Sequence, residues 1–138
     1  MKLGHNTKID LIKGVPLFSS ASKDELAEIA MIADEIDLPE GKVLIKEGDT
    51  GREFFVLIEG TAEVERGGKK VASIGAGDFF GEIALISKTP RNATITTTSP
   101  VRTLVITDRA FRQLLERSPK IAVGVLTALA ERLAPTTL

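Results

Sequence analysis

The chain has 138 residues, 43% of them hydrophobic and 27% charged, with a formal net charge of −1. That is the size and make-up of a globular domain with its own core, and the charge balance creates no global field to draw nucleic acid or an acidic membrane surface. There is no cysteine, which excludes a disulfide framework, a thiolate metal site and a cysteine nucleophile.

The opening MKLGHNTKIDLIKG carries a charged or polar group every few residues and lacks the apolar centre of a secretion signal. No window approaches the ~20 apolar residues that a bilayer span needs. A soluble, cytoplasmic chain with no membrane partner is therefore expected. Ser22-Lys23-Asp24-Glu25 has the spacing of a capping box, in which serine hydroxyl and glutamate carboxylate each accept the other's amide. Leu26, Ile29, Ala30 and Ala33 follow at helical intervals, so the pattern predicts an amphipathic helix over 23–34. Pro39, Glu40 and Gly41 predict a turn.

Short strands follow to about residue 106. Val43 to Lys46 and Glu53 to Ile58 are apolar runs separated by Gly48, Asp49 and Gly51. Thr61 to Glu65 alternates with period two, as a half-buried strand should. Gly67-Gly68 predicts a two-residue hairpin loop in which both positions take positive φ, returning through Val71 to Ile74. Ala93 to Thr98 and Val101 to Ile106 form a further pair around Ser99-Pro100. Regular short strands with glycine turns point to a sandwich or barrel. Beyond them, Asp108 is placed to cap a helix bearing Phe111, Leu114 and Leu115. Ser118-Pro119 predicts a second cap, with proline in the first turn where its missing amide costs nothing. Ile121, Val125, Leu129 and Leu133 repeat every four residues, flanked by Ala122 and Leu126, until Pro135 ends the pattern. The expected organisation is a single domain over 1–138: a helical part over 10–34, a barrel over 35–107 and C-terminal helices over 108–134.

Residues 80–95 break the strand rhythm. Glu82 to Ile86 has helix-forming composition but room for only about two turns. A short helix opening at Gly81 would present unpaired amides and a positive dipole end, a cradle for one phosphate. Arg91 adds a planar, permanently charged fork. Glu82 is ill suited to a phosphate but well suited to accept a hydrogen bond from a sugar hydroxyl beside it. Cradle, arginine and carboxylate together describe a site for a phosphorylated ribose. The same Glu82 and Arg91 also fit a surface ion pair worth about 0–1 kcal/mol.

Phe80-Gly81-Glu82-Ile83-Ala84-Leu85 followed by Pro90-Arg91-Asn92-Ala93-Thr94-Ile95 resembles the phosphate-binding cassette of the cyclic-nucleotide-binding domain family. That family includes the regulatory subunits of cAMP-dependent protein kinase, the bacterial catabolite activator protein and cyclic-nucleotide-gated channels. The resemblance implies a mostly β fold: an antiparallel eight-stranded jelly-roll-like barrel with an N-terminal helix, a short cassette helix and two C-terminal helices. It implies that Gly81 and the amides of Ile83, Ala84 and Ala93 surround a phosphate with Arg91, and that Glu82 takes the ribose 2′-hydroxyl. It also implies a base lying against Val64 and Ala72 under a lid helix bearing Leu129, Arg132 and Leu133; for Arg132, a solvent-facing charge fits equally well. Asn92 departs from the family's alanine or threonine at that place and leaves cAMP against cGMP open, cAMP being favoured by the family at large.

Other residues point to structure. His5 is the single histidine, too little for a metal site or a catalytic base, and nothing resembles a nucleophile elbow. Phe54, Phe55, Phe79 and Phe80 are expected in the core, and Lys69-Lys70 at a solvated hairpin end. Without Trp, Tyr or a basic stripe, no nucleic-acid partner is expected. The expectation is a non-enzymatic receptor with no catalytic residues, metal or cofactor, whose ligand is cAMP or cGMP and whose last helix moves on binding. The Ile121–Leu133 stripe would equally serve a homodimer or a partner protein, so a ligand-independent interaction module of the same fold is the alternative.

Overall fold

Helices form at both ends of the chain and strands between them, in a computed structural model that describes residues 5–15, 18–81 and 89–133. Helix α1 (His5–Lys13) starts ahead of the boundary expected at residue 10. It is tied down by Ile12 and the following Val15, each 1% exposed, and most helical stability comes from such packing rather than from propensity. Helix α2 (Lys23–Ile32) opens with the predicted box: the Glu25 amide donates to Ser22 Oγ at 3.2 Å and the Ser22 amide to Glu25 Oε1 at 2.8 Å. It ends at Ile32 rather than at residue 34, with Ala33 extended as its C-cap.

Eight strands are present among the described residues: β1 (Asp34–Leu38), β2 (Val43–Ile45), β3 (Glu53–Glu59), β4 (Ala62–Arg66), β5 (Lys69–Ile74), β6 (Phe79–Phe80), β7 (Thr94–Thr97) and β8 (Val101–Thr107). They make two four-stranded sheets of order β1-β8-β3-β6 and β2-β7-β4-β5, antiparallel throughout. This is the expected mostly β, jelly-roll-like arrangement with flanking helices, built as two sheets across a shared core. β1 is the strand that the sequence pattern does not announce. Its DEIDL is polar because it lies at a sheet edge, where little is buried, and its pairing with β8 from Asp34↔Val105 onward is what stops α2 early.

The apolar run Phe54 to Ile58 explains the layering. Successive strand residues face opposite ways, so a strand with no polar interior position has core on both faces, and all five residues are buried. Phe54, Val56 and Ile58 join Phe18, Leu26, Ile29, Phe111, Ile121 and Val125 in a cluster between this sheet and the helices. Phe55 joins Ile45, Ala62, Phe80, Ile95 and Val105 in a second cluster, which draws on strands of both sheets. All four phenylalanines of the expected core are therefore core residues, Phe79 half-buried against the helix-side cluster.

The hairpin from β4 to β5 turns on Gly67 (φ 56°) and Gly68 (φ 78°), as predicted. Helix α3 (Asp108–Arg117) begins at Asp108 but is capped by Thr107, whose Oγ1 accepts from the Ala110 amide at 3.2 Å. Thr107 is still extended at the end of β8, so it supplies the non-helical geometry that a cap requires. Helix α4 (Pro119–Leu133) has Pro119 in its first turn, and Ser118 Oγ accepts from the Ile121 amide at 3.3 Å. Ile121 and Val125 are buried, Leu129 is half-buried, and Leu126 faces out at 63% exposure. Pro135 lies outside the described residues.

Candidate functional site

The segment singled out in the sequence begins on firm ground. Phe80 pairs with Phe55 across β6 and β3, their rings stacked at 5.1 Å. Gly81 then takes φ +86°, and a Cβ there would stand 2.8 Å from the Glu53 carbonyl oxygen and 2.9 Å from Arg91 Nη1. Backbone conformation and close approach both require glycine at this turn. Glu82, Ile83 and Ala84, with the short helix expected around them, lie outside the described residues.

The chain is described again from Thr89, and Pro90 bridges antiparallel to Thr50. The Arg91 amide donates to the Asp49 carbonyl at 2.8 Å, and its own carbonyl accepts from the Gly48 amide at 2.8 Å. Arg91 thus sits just before β7, spliced onto the loop between β2 and β3. Its Nη2 donates to the Glu53 carbonyl at 2.7 Å and its Nη1 to the Gly81 carbonyl at 3.2 Å. Burial holds the half-buried guanidinium below the usual arginine range, with the Glu53 charge acting in the opposite direction; at neutral pH the group is still fully charged. Carbonyls orient the fork without neutralising it, and no ion pair to Arg91 forms among the described residues. A positioned, partly desolvated cation of this kind has the chemistry to accept an anion.

Neighbouring residues stiffen the surroundings. The Asn92 carbonyl accepts from Arg66 Nε at 3.2 Å while the Asn92 residue is exposed, and Ala93 is buried at 5% exposure. Thr94 Oγ1 accepts from the Glu47 amide at 3.0 Å, and Glu47 Oε1 accepts from the Gly67 amide at 3.1 Å. The β4–β5 hairpin and the β2–β3 loop are therefore both tied to the segment around Arg91.

Gly81 and Arg91 are in direct contact, with Asn92 and Ala93 following in the chain. Val64 and Ala72 are cross-strand partners on β4 and β5; Val64 packs on the inter-sheet cluster and Ala72 is exposed. Leu129 packs on the helix-side cluster, not on the one that includes Val64. Arg132 and Leu133 end helix α4, and their side chains lie outside the described ones, as does that of His5. Sequence reasoning missed the contribution of Gly48, Gly51 and the Glu53 carbonyl, all in or beside the β2–β3 loop. The glycine pair in Gly48-Asp49-Thr50-Gly51 was a visible signal, but it read only as a break between two apolar runs. Lys69 and Lys70 are exposed at the hairpin end, Lys70 paired with Glu63 at 3.3 Å. Among the described residues no cluster of His, Cys, Asp and Glu is placed to hold a metal, and no helix is long and apolar enough to cross a membrane.

The profile of the family described as "Cyclic nucleotide-binding domain" matches residues 35–118. The chain belongs to the cyclic nucleotide-binding domain family. The matched span takes in both sheets, Arg91 and helix α3, and ends at the Ser118 cap. This cyclic nucleotide-binding domain is 38% identical over 135 residues to a cAMP-dependent protein kinase regulatory subunit of Mycosarcoma maydis, covering 89% of this chain and 24% of that protein. It is 36% identical over 122 residues to a cyclic nucleotide-gated potassium channel of Rhizobium etli, covering 88% of this chain and 34% of the channel. The chain therefore spans about a quarter to a third of these relatives. Among solved structures, the N-terminal domain of a transcriptional regulator from Streptomyces coelicolor A3(2) superposes with a TM-score of 0.81 at 30% identity, covering 92% of each chain.

Proposed function

We propose that this cyclic nucleotide-binding domain is a non-catalytic receptor that prefers cAMP to cGMP and signals by moving its C-terminal helix. The observation that carries the reading is the Arg91 fork, held by two backbone carbonyls with no ion pair to it among the described residues. A cyclic phosphate is an anion that this fork can hold at two oxygens. In this reading Arg91 and the backbone of Gly81, Ile83, Ala84 and Ala93 take the phosphate, and Glu82 takes the ribose 2′-hydroxyl. The base lies along Val64 and Ala72, with the Asn92 amide free to donate or accept at its edge. Helix α4, with Leu129, Arg132 and Leu133, closes over it. The preference for cAMP is supported by the kinase regulatory subunit among the relatives, whose name states its cAMP dependence. A ligand moves α4 only by binding the closed form better, a tenfold shift requiring about 1.4 kcal/mol.

A second reading, a ligand-independent interaction or dimerisation module, is favoured by Val123 and Leu126, which are 61% and 63% exposed on α4. Calorimetric titration with cAMP and cGMP separates the two. The receptor should bind cAMP more tightly than cGMP, and Arg91→Ala should lose about 2–5 kcal/mol of binding free energy, the usual cost of removing one partner of a buried charge pair. Absence of heat and of any melting shift with either nucleotide at millimolar concentration refutes the receptor reading.

A further inference from the structure

We infer that Gly51 is a positioning residue for the nucleotide site: its missing side chain is the space in which the Arg91 guanidinium lies. This inference rests on the reading of Arg91 as the phosphate-binding cation. A Cβ added at Gly51 would stand 1.9 Å from Arg91 Nε, 2.1 Å from Cζ and 2.6 Å from Nη2. All three nearest atoms belong to one guanidinium, so a methyl group there and the guanidinium cannot share the position. Gly51 is not among the glycines with positive φ, so its backbone would accept alanine without strain. The turn glycines Gly48, Gly67, Gly68 and Gly77 show the opposite pattern, with positive φ and nothing within 4 Å of an added Cβ. Glycine at 51 therefore answers to Arg91 rather than to the turn.

Arg91 wraps the β2–β3 loop. Its backbone is bonded to Gly48 and Asp49, Pro90 bridges to Thr50, and the side chain passes over Gly51 to reach the Glu53 carbonyl at 2.7 Å. A methyl group at 51 must push the guanidinium away from the carbonyls of Glu53 and Gly81. The charge survives, but the orientation of the fork does not, and bidentate recognition of a phosphate depends on orientation.

The test is a double-mutant cycle on Gly51→Ala and Arg91→Ala, read by cAMP titration and by thermal unfolding of the unliganded chain. Gly51→Ala should weaken cAMP binding about 10- to 100-fold, the range for a disturbed hydrogen bond to a charged group. The same substitution made on Arg91→Ala should change affinity little, because the displaced group is already gone. Unliganded melting should follow the same rule: any loss caused by Gly51→Ala alone should vanish in the double variant, where the added methyl has room. That comparison decides the matter even if the single variant folds poorly. If wild type binds, Arg91→Ala does not, and Gly51→Ala binds like wild type, the positioning role is wrong. A Gly51→Ala penalty that persists undiminished beside Arg91→Ala also overturns it. A wild-type chain that binds neither nucleotide instead removes the receptor reading, and this inference with it.

Discussion

Arg91 and Gly81 form a unit in which each constrains the other. The guanidinium reaches the Gly81 carbonyl at 3.2 Å, and the glycine can offer that carbonyl because it turns at φ +86° with the Glu53 carbonyl close by. Gly81→Ala must hold a left-handed conformation and find room beside Glu53 and Arg91. The expected cost is about 1–3 kcal/mol of stability, measured as a shift in the urea midpoint. Unlike Gly51→Ala, this loss should remain when Arg91 is replaced, since the backbone strain and the Glu53 contact do not involve the arginine. Gly81 and Arg91, both singled out from the residue types at 80–95, are in contact. That the arginine would be held by carbonyls was not legible there, because backbone acceptors leave no mark on amino-acid identity.

Helices α2 and α4 meet at Glu25, which serves both. One carboxylate oxygen closes the α2 capping box with the Ser22 amide, and the other accepts from the hydroxyl of Ser118, the residue that caps α4. The Ser118 hydrogen bond, followed by that of Ser22, holds the Glu25 carboxyl below its ordinary range. A depressed folded value means that this stabilisation is fully present above the unfolded glutamate pKa of about 4.3. It is lost as pH falls through the lower folded value. Wild type should therefore lose stability on acidification that Glu25→Gln does not, read as urea midpoints at a series of pH values. Equal acid sensitivity of the two would show that Glu25 does not couple to folding. Ser118→Ala should cost about 1 kcal/mol at neutral pH, as lost caps do. Both halves of this joint were readable as local cap signals; their meeting was not, since 93 residues separate them.

Phe54 is where the sheet and the helices share one core. It is fully buried, edge-on to Phe18 at 6.2 Å and tilted against Phe79 at 5.9 Å. Phe54→Ala should cost about 3–5 kcal/mol, checked by chemical denaturation with helix and strand signals followed together. The two signals should fall in one transition, because the cluster spans α1, α2, β3, β8, α3 and α4. Nucleotide at about 100 times its Kd should raise the stability of the wild type by about 2.7 kcal/mol. Local chemistry along the chain was sufficient for the α2 box, the Gly67-Gly68 hairpin, the α4 cap and the core phenylalanines, because each is written in neighbouring residues; the family came from the resemblance of residues 80–95 to a known motif. Strand β1 was invisible, since a polar edge strand has no apolar period of its own and forms only when β8 pairs with it. Gly51 belongs with β1: it lies 40 positions from Arg91 in the sequence, and only the packing of the β2–β3 loop against the cassette turns an ordinary loop glycine into the floor beneath the guanidinium.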